Sequence, residues 1–134
     1  LAALRLLGTG DAEAAVTRAQ WPARMQRLRH GPLPEAAGQA ELWLDGGHNP
    51  AGGEAVAATL ASMPKRATHL ICGMLNTKDI TGYMRPLAPQ VTSLQAVSIP
   101  GEAATLPAAA TCAAALRAGI RAAEAGSTTI RFGH

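Results

Sequence analysis

Residues 44–53 read Leu-Asp-Gly-Gly-His-Asn-Pro-Ala-Gly-Gly, and this stretch decides the fold of the chain. The apolar run of residues 42–44 ends abruptly in an acid, two glycines, a histidine and an asparagine. Pro50 then opens an alanine-rich segment of helical character, because proline is favoured at the first position of a helix. The pattern predicts a strand, a tight polar turn and a helix N-terminus, which is where α/β folds place ligand-binding chemistry.

Strand-like and helix-like segments alternate along the rest of the chain. We expect strands at residues 25–30, 41–45, 69–74, 91–99 and 128–132. We expect helices within residues 1–19 and at residues 51–63, 80–87 and 107–117, and a loop at residues 31–38, which contain two prolines. Alternation with short connections predicts βαβ units and a parallel sheet.

Composition and charge exclude several classes of protein. Of the 134 residues, 48% are apolar but only 3% are aromatic, so we expect a helix-rich core with few large side chains. The net charge of +3 comes from scattered basic residues, whereas a nucleic-acid surface needs a continuous basic patch with stacking aromatics. No apolar stretch approaches the roughly 18 residues that cross a membrane. We therefore expect neither a nucleic-acid partner nor a membrane partner.

The two cysteines indicate the cellular compartment, and the start of the sequence indicates whether the chain is part of a longer protein. Cys72 and Cys112 are far apart in apolar surroundings, which predicts buried free thiols in a reducing compartment such as the cytoplasm. The chain lacks an initiator methionine and begins within a helical pattern, so we expect a fragment of a longer protein.

Polar turns follow two of the predicted strands, at residues 45–49 and 73–79. The carboxyl ends of parallel strands share one edge of a sheet, so the two turns predict one candidate site. Asp45 can accept two hydrogen bonds from a ribose diol, and the following glycines allow close approach of a ligand. The alternative is that Asp45 and Asn49 merely cap the next helix.

His48 is compatible with several roles: a general base, a contact to a phosphate or a carboxylate, or a structural hydrogen bond. No second His, Cys or carboxylate lies at ligand spacing, so we expect no metal site in this chain. The sequence also contains no GxxxxGK(S/T) loop and cannot cradle a triphosphate alone. Taken singly, Arg24 is typical of a surface strand, and Lys78 with Asp79 is typical of a helix cap.

Three motifs in order resemble the C-terminal domain of folylpolyglutamate synthase/dihydrofolate synthase, a family within the Mur ligases. They read Trp-Pro-Ala-Arg-Met-Gln at residues 21–26, Leu-Asp-Gly-Gly-His-Asn-Pro at residues 44–50, and Gly-Met-Leu-Asn-Thr-Lys-Asp at residues 73–79. Residues 98–102, Ser-Ile-Pro-Gly-Glu, look like the next strand end of that family. The resemblance runs from Trp21 to the C-terminus.

The resemblance implies a three-layer α/β sandwich with a mostly parallel, Rossmann-like sheet. Residues 19–134 would form the C-terminal glutamate-ligase domain, and residues 1–18 the tail of the N-terminal ATPase domain and the hinge. Enzymes of the family add L-glutamate to dihydropteroate or folylpolyglutamate through an acyl phosphate, releasing ADP. ATP and Mg²⁺ would be bound mainly by the ATPase domain, which this chain lacks, so we expect the chain alone to be an inactive monomer.

Carried over by position, the resemblance gives roles to six residues. Arg24 would contact the ATP phosphates, Asp45 the ribose, and His48 the phosphate and incoming glutamate, with Asn49 supporting the turn. Lys78 and Asp79 would either form the glutamate pocket or brace the rim.

The chain departs from the family pattern at a few positions. Ala23 replaces the usual glycine and Gly47 the usual alanine, and both are small enough to preserve backbone approach. A glutamate-binding serine expected beyond His134 has no counterpart. The rival interpretations are a Mur-type ligase for cell-wall precursors, whose members more often carry Asp-Tyr-Ala-His, and a non-catalytic module that binds a nucleotide or an amino acid.

Overall fold

The computed structural model describes residues 24–125. They form two small sheets with intervening helices. The elements in chain order are β1 (Gln26–Leu28), α1 (Pro32–Ala37), β2 (Leu42–Leu44), α2 (Pro50–Ser62), β3 (His69–Cys72), α3 (Ile80–Met84), a 3₁₀ helix (Arg85–Leu87), β4 (Ser93–Ala96), α4 (Ala108–Arg117) and β5 (Ala122–Glu124).

Strands β3, β4 and β5 form a parallel sheet in chain order, which confirms the predicted α/β class. Leu94 of β4 lies opposite Leu70 on one side and Ala122 on the other. Helix α3 with the 3₁₀ helix makes the first crossover, and α4 makes the second. Each crossover returns the chain to the same edge, so the carboxyl ends of β3 and β4 lie side by side.

Strand β2 does not join this sheet in the way the sequence indicated. Within residues 24–125 it pairs with β1, and the pairing is antiparallel, with Gln26 opposite Leu44 and Leu28 opposite Leu42. The expectation that β2 belongs to the parallel sheet was therefore wrong. Because the connection from β1 to β2 carries only the short helix α1, it reverses the chain beside itself instead of crossing over.

Helix α1 replaces the loop predicted for residues 31–38. Pro32 occupies the first turn, where its missing N–H costs no hydrogen bond, so proline fits here and does not break the helix. Gly31 before the helix and Gly38 after it have φ angles of 106° and 64°, a left-handed region that favours glycine.

Strand β5 was not predicted, because its alanines favour a helix and are depleted in strands. The predicted strand at residues 91–99 is shorter, Ser93–Ala96. The predicted helices in residues 1–19 and the predicted strand at residues 128–132 lie outside the described residues.

The core lies between the parallel sheet, α2, α3 and α4. It is built from small and medium side chains, as the composition indicated, and Ala114 and Ala115 on α4 are completely buried. Tyr83 is the one aromatic side chain in the buried cluster of the described part of the chain. Cys72 and Cys112 are both buried and free, as predicted.

Gly53 on α2 should be intolerant of alanine, although alanine normally stabilises a helix relative to glycine. A Cβ atom at this position would collide with the backbone carbonyl oxygen of Tyr83. Because backbone cannot move aside cheaply, we expect Gly53→Ala to lower the free energy of unfolding by roughly 1–3 kcal/mol. Urea unfolding measures this change, and a variant as stable as the wild type would contradict the close approach of α2 and α3.

Thr111 on α4 should respond in the opposite direction. Its hydroxyl is fully buried and has no hydrogen-bond partner, which is a cost that the folded state bears. We expect Thr111→Val to raise the free energy of unfolding by about 1 kcal/mol. Thr111→Ser, which keeps the hydroxyl and loses the methyl group, is the control and should be destabilising.

Alkaline pH should destabilise the fold through Cys72. Burial raises the pKa of this thiol from 9.0 to about 12. Between these values the unfolded state binds fewer protons than the folded state, so the free energy of unfolding falls as the pH rises. At pH 10 we expect a loss on the order of 1 kcal/mol from Cys72, and Tyr83, whose pKa is also raised by burial, adds to it at higher pH.

Urea unfolding of the wild type and of Cys72→Ala at pH 8 and pH 10 measures this contribution. The variant should lose less stability over that interval, and an equal loss in both proteins would show that the thiol is not responsible.

Candidate functional site

Asp45 lies directly after β2 and is held by two backbone groups. Its Oδ2 atom accepts a hydrogen bond from the N–H of Gly47 at 2.7 Å, and its Oδ1 atom accepts one from the N–H of Met25 at 3.0 Å. The second bond spans 20 residues and joins the start of β1 to the end of β2. Asp45 is therefore a link between two chain segments, and neither of its bonds caps helix α2.

Gly47 lies where a side chain would obstruct this arrangement. A Cβ atom at residue 47 would lie 2.7 Å from Asp45 Oδ2 and 3.0 Å from Tyr83 Cε2. Alanine at this position would force these atoms to shift. The glycine thus lets the turn, the carboxylate and the Tyr83 ring pack together.

His48 is exposed, and its ring is oriented by the turn. Nδ1 lies 3.1 Å from the carbonyl oxygen of Gly46. A carbonyl oxygen can only accept, so Nδ1 donates this bond and carries a proton. When the ring is neutral, its Nε2 atom therefore has the lone pair and can accept a proton or a hydrogen bond.

Asn49 caps α2, as the capping alternative expected for this residue. Its Oδ1 atom accepts a hydrogen bond from the N–H of Gly52 at 2.7 Å, and Pro50 occupies the first turn. This cap fixes where the turn ends and the helix begins, so Asn49 supports the turn that presents Asp45 and His48.

The second polar turn packs against the first. Asp79 caps α3 by accepting a hydrogen bond from the N–H of Gly82 at 2.9 Å. A Cβ atom on Gly82 would lie 2.7 Å from Cγ of Pro50, at the start of α2. The structure thus brings the two turns together at one place. Lys78, next to Asp79, is exposed.

The loop after β4 fastens the second turn from its other side. The N–H of Asn76 donates to the carbonyl of Ala104 at 2.8 Å, and the N–H of Leu106 donates to the carbonyl of Met74 at 2.7 Å. Within that loop, the N–H of Ile99 donates to the hydroxyl of Thr105 at 2.8 Å. Ala104 and Leu106 therefore brace the second turn, and Ile99 of the family-like segment is bonded to the same loop.

Arg24 is exposed and enters the site region immediately before Met25. Met25 has a φ angle of 44°, and it is the one residue other than glycine with a positive φ within residues 24–125. Because the Met25 N–H is bonded to Asp45, the structure connects Arg24 to the Asp45 turn through a single residue.

A cavity of about 1160 Å³ separates β2 from β3 and reaches the Asp45 turn. Asp45, Gly47, Cys72 and Tyr83 are among its lining residues. Burial raises the pKa of the Tyr83 hydroxyl, and the charges of Cys72 and Asp45 raise it further. The pKa of Cys72 is also raised, so neither group is an anionic nucleophile at neutral pH.

Sequence reasoning missed the contributions of Met25 and Tyr83. The Met25 backbone conformation leaves no mark in the residue type, since methionine is not typical of positive φ. Tyr83 does carry a signal, because it is the only tyrosine of the chain and lies one helical turn after Asp79.

The basic residues beside β2 are engaged in ion pairs away from this turn. Glu41 pairs with Arg66 at 3.0 Å and Arg27 at 3.4 Å and accepts a hydrogen bond from Nε1 of Trp43 at 3.2 Å. The Trp43 bond first, and then the two arginines, lower the pKa of Glu41.

The described part of the chain contains neither a candidate metal cluster nor a helix that could span a membrane. No three or more His, Cys, Asp or Glu side chains of residues 24–125 are grouped so that they could hold a metal ion. No helix of that part is long and apolar enough to cross a membrane.

Solved structures of folylpolyglutamate synthases are similar to this chain. The Mycobacterium tuberculosis enzyme, solved with ADP and AMPPCP, has 31% identity and a TM-score of 0.62 over 89% of this chain. E. coli FolC, solved with DHPP and ADP, has 22% identity and a TM-score of 0.63 over 84%. A bifunctional folylpolyglutamate synthase/dihydrofolate synthase with Mn, AMPPNP and L-glutamate bound has 23% identity and a TM-score of 0.61 over 80%.

The chain spans only 27%, 24% and 24% of the length of these three proteins, respectively. No protein-family model matches it, and no curated protein sequence matches it. The similarity in structure agrees with the three ordered sequence motifs, two of which the structure places side by side. The chain therefore belongs to the folylpolyglutamate synthase/dihydrofolate synthase family, in which it corresponds to the C-terminal domain.

Proposed function

We propose that this chain is the glutamate-ligase domain of an ATP-dependent folate ligase, which adds L-glutamate to dihydropteroate, to folylpolyglutamate or to both. The observation that carries the proposal is the turn of residues 45–49, in which a fixed carboxylate and an oriented imidazole lie side by side. The structural relatives are folate enzymes solved with ADP, ATP analogues or L-glutamate, which favours this function over a cell-wall ligase.

The described residues fit one part of a bound nucleotide. A carboxylate offers about four acceptor positions, and Asp45 uses two of them for backbone N–H groups. The remaining positions can accept hydrogen bonds from a ribose diol. Arg24 supplies a cation that suits the nucleotide phosphates, since a guanidinium donates two parallel hydrogen bonds to such groups.

The remainder of the nucleotide and the metal would be held elsewhere. The sequence has no phosphate-binding loop, and the described residues offer no metal cluster. We infer that an N-terminal ATPase domain supplies both functions, so that ATP and Mg²⁺ bind between the domains and the isolated chain is inactive. When bound, ATP supplies the phosphoryl group that activates the substrate carboxylate as an acyl phosphate.

His48 and Lys78 have separate tasks in this proposal. The Nε2 atom of His48 orients the attacking amine of glutamate or accepts its proton, because Nδ1 is committed to the Gly46 carbonyl. Asp79 braces the rim in this proposal, and its cap on α3 beside Pro50 supports that role. Lys78, exposed next to that cap, then remains to attract a carboxylate of glutamate.

The proposal requires a phosphate loop in the same protein. We expect the reading frame upstream of residue 1 to encode an ATPase domain with a GxxxxGK(S/T)-type loop, and sequencing the flanking gene tests this directly. Without such a loop, membership of the family would not imply ligase activity.

The full-length protein allows the residue roles to be tested. We expect Asp45→Ala and His48→Ala each to lower glutamate-dependent ADP release by about 100-fold, because the nucleotide or the reacting amine would be misplaced. His69→Ala is the matched control, since His69 is an exposed histidine at the amino end of β3, bonded to Ser93. Unchanged turnover in both site variants would remove the assigned roles.

A further inference from the structure

The chain turns a corner at Met25, between Arg24 and strand β1. A φ angle of 44° is left-handed, and an unbranched side chain such as methionine has no local group that favours it. Residues held in this region persist only when their surroundings fix them. The question is which contacts hold the corner in place.

The Asp45 carboxylate is the polar group that holds it. Oδ1 accepts the Met25 N–H at 3.0 Å, while Oδ2 is tied to the Gly47 N–H at 2.7 Å. The neighbouring Leu44 is 1% exposed, so the backbone that carries the carboxylate is anchored in the protein interior. The acceptor oxygen is therefore held in place by contacts other than its bond to the Met25 N–H.

Fixing this N–H also fixes the backbone of Arg24. The Met25 N–H belongs to the planar peptide group that starts at the Cα atom of Arg24. On the other side of the corner, Gln26 is paired with Leu44 in the sheet, and the Met25 side chain packs against the core. These contacts therefore set the direction of the backbone between Arg24 and Met25.

We propose that Asp45 is a positioning residue for Arg24, acting through the Met25 N–H, in addition to its own contact with the nucleotide. The ribose contact and the phosphate contact are then set as one rigid unit. This inference rests on the proposed nucleotide site. Its structural part is the hydrogen bond from the Met25 N–H to Asp45, which we call the clamp, and this part does not require any ligand.

Asp45→Ala tests the clamp, because it removes both oxygen atoms that accept the N–H groups of Met25 and Gly47. Asp79→Ala is the matched control, since Asp79 also accepts a backbone N–H but within its own helix cap. NMR reports the corner through the NOE between the amide and α protons of Met25, which is strong for positive φ, and through hydrogen exchange of its amide.

We expect a strong NOE and a slowly exchanging Met25 amide in the wild type and in Asp79→Ala, and the loss of both in Asp45→Ala. A corner unchanged in Asp45→Ala would overturn the proposal. Should that variant fail to fold, the wild type still decides: a weak NOE or a rapidly exchanging Met25 amide overturns the clamp, and a strong NOE with slow exchange supports it.

The coupling to Arg24 is tested in the full-length protein with ADP, in a double-mutant cycle followed by isothermal titration calorimetry. We expect Arg24→Ala to weaken ADP binding in the wild type and to have an effect smaller by about threefold or more in the Asp45→Ala background. Additive effects would overturn the positioning role. If neither Arg24→Ala nor Asp45→Ala weakens ADP binding to the full-length protein, the proposed nucleotide site fails, and the NOE and exchange results alone decide the clamp.

Discussion

The carboxylate of Asp45 is the constraint on which the arrangement of the site depends. Its two backbone hydrogen bonds close the glycine turn and tie it to the start of β1, 20 residues earlier. Without this link the antiparallel pair and the turn would be neighbours only through the few hydrogen bonds of β1 and β2. Because these two bonds hold the carboxylate in place, its remaining acceptor positions have fixed directions, which suits ligand recognition.

The parts of the fold that the sequence predicts well are those with a strong local signal. Helix α2 starts at Pro50 with Asn49 as its cap, and β3 is a short apolar run, so both are found within two residues of their predicted bounds. The prediction is wrong where the residue types favour another structure. Strand β5 is missed because its alanines favour a helix, and α1 is missed because its two prolines suggest a loop. The antiparallel pairing of β2 is a tertiary property that its apolar pattern does not contain.

The site shows the same division between local and distant information. The sequence places two polar turns at strand ends and indicates that they meet, and the contact of Pro50 with the second turn agrees. The sequence leaves open whether Asp45 is a cap or a ligand contact, because both uses need the same residue type at the same position. The bonds of its two oxygen atoms, to the N–H groups of Met25 and Gly47, rule out the cap.

Residues 50 and 82 touch although they belong to different motifs, and this has a consequence for how the family can vary. The ring of Pro50 occupies the space in which a side chain on Gly82 would lie. A substitution at either position therefore changes the room at the other, so the two cannot drift independently. The Asp79 carboxylate occupies part of the same space, so in a set of homologues a larger residue at 82 should be accompanied by changes at both 50 and 79, which would record the packing of the two turns.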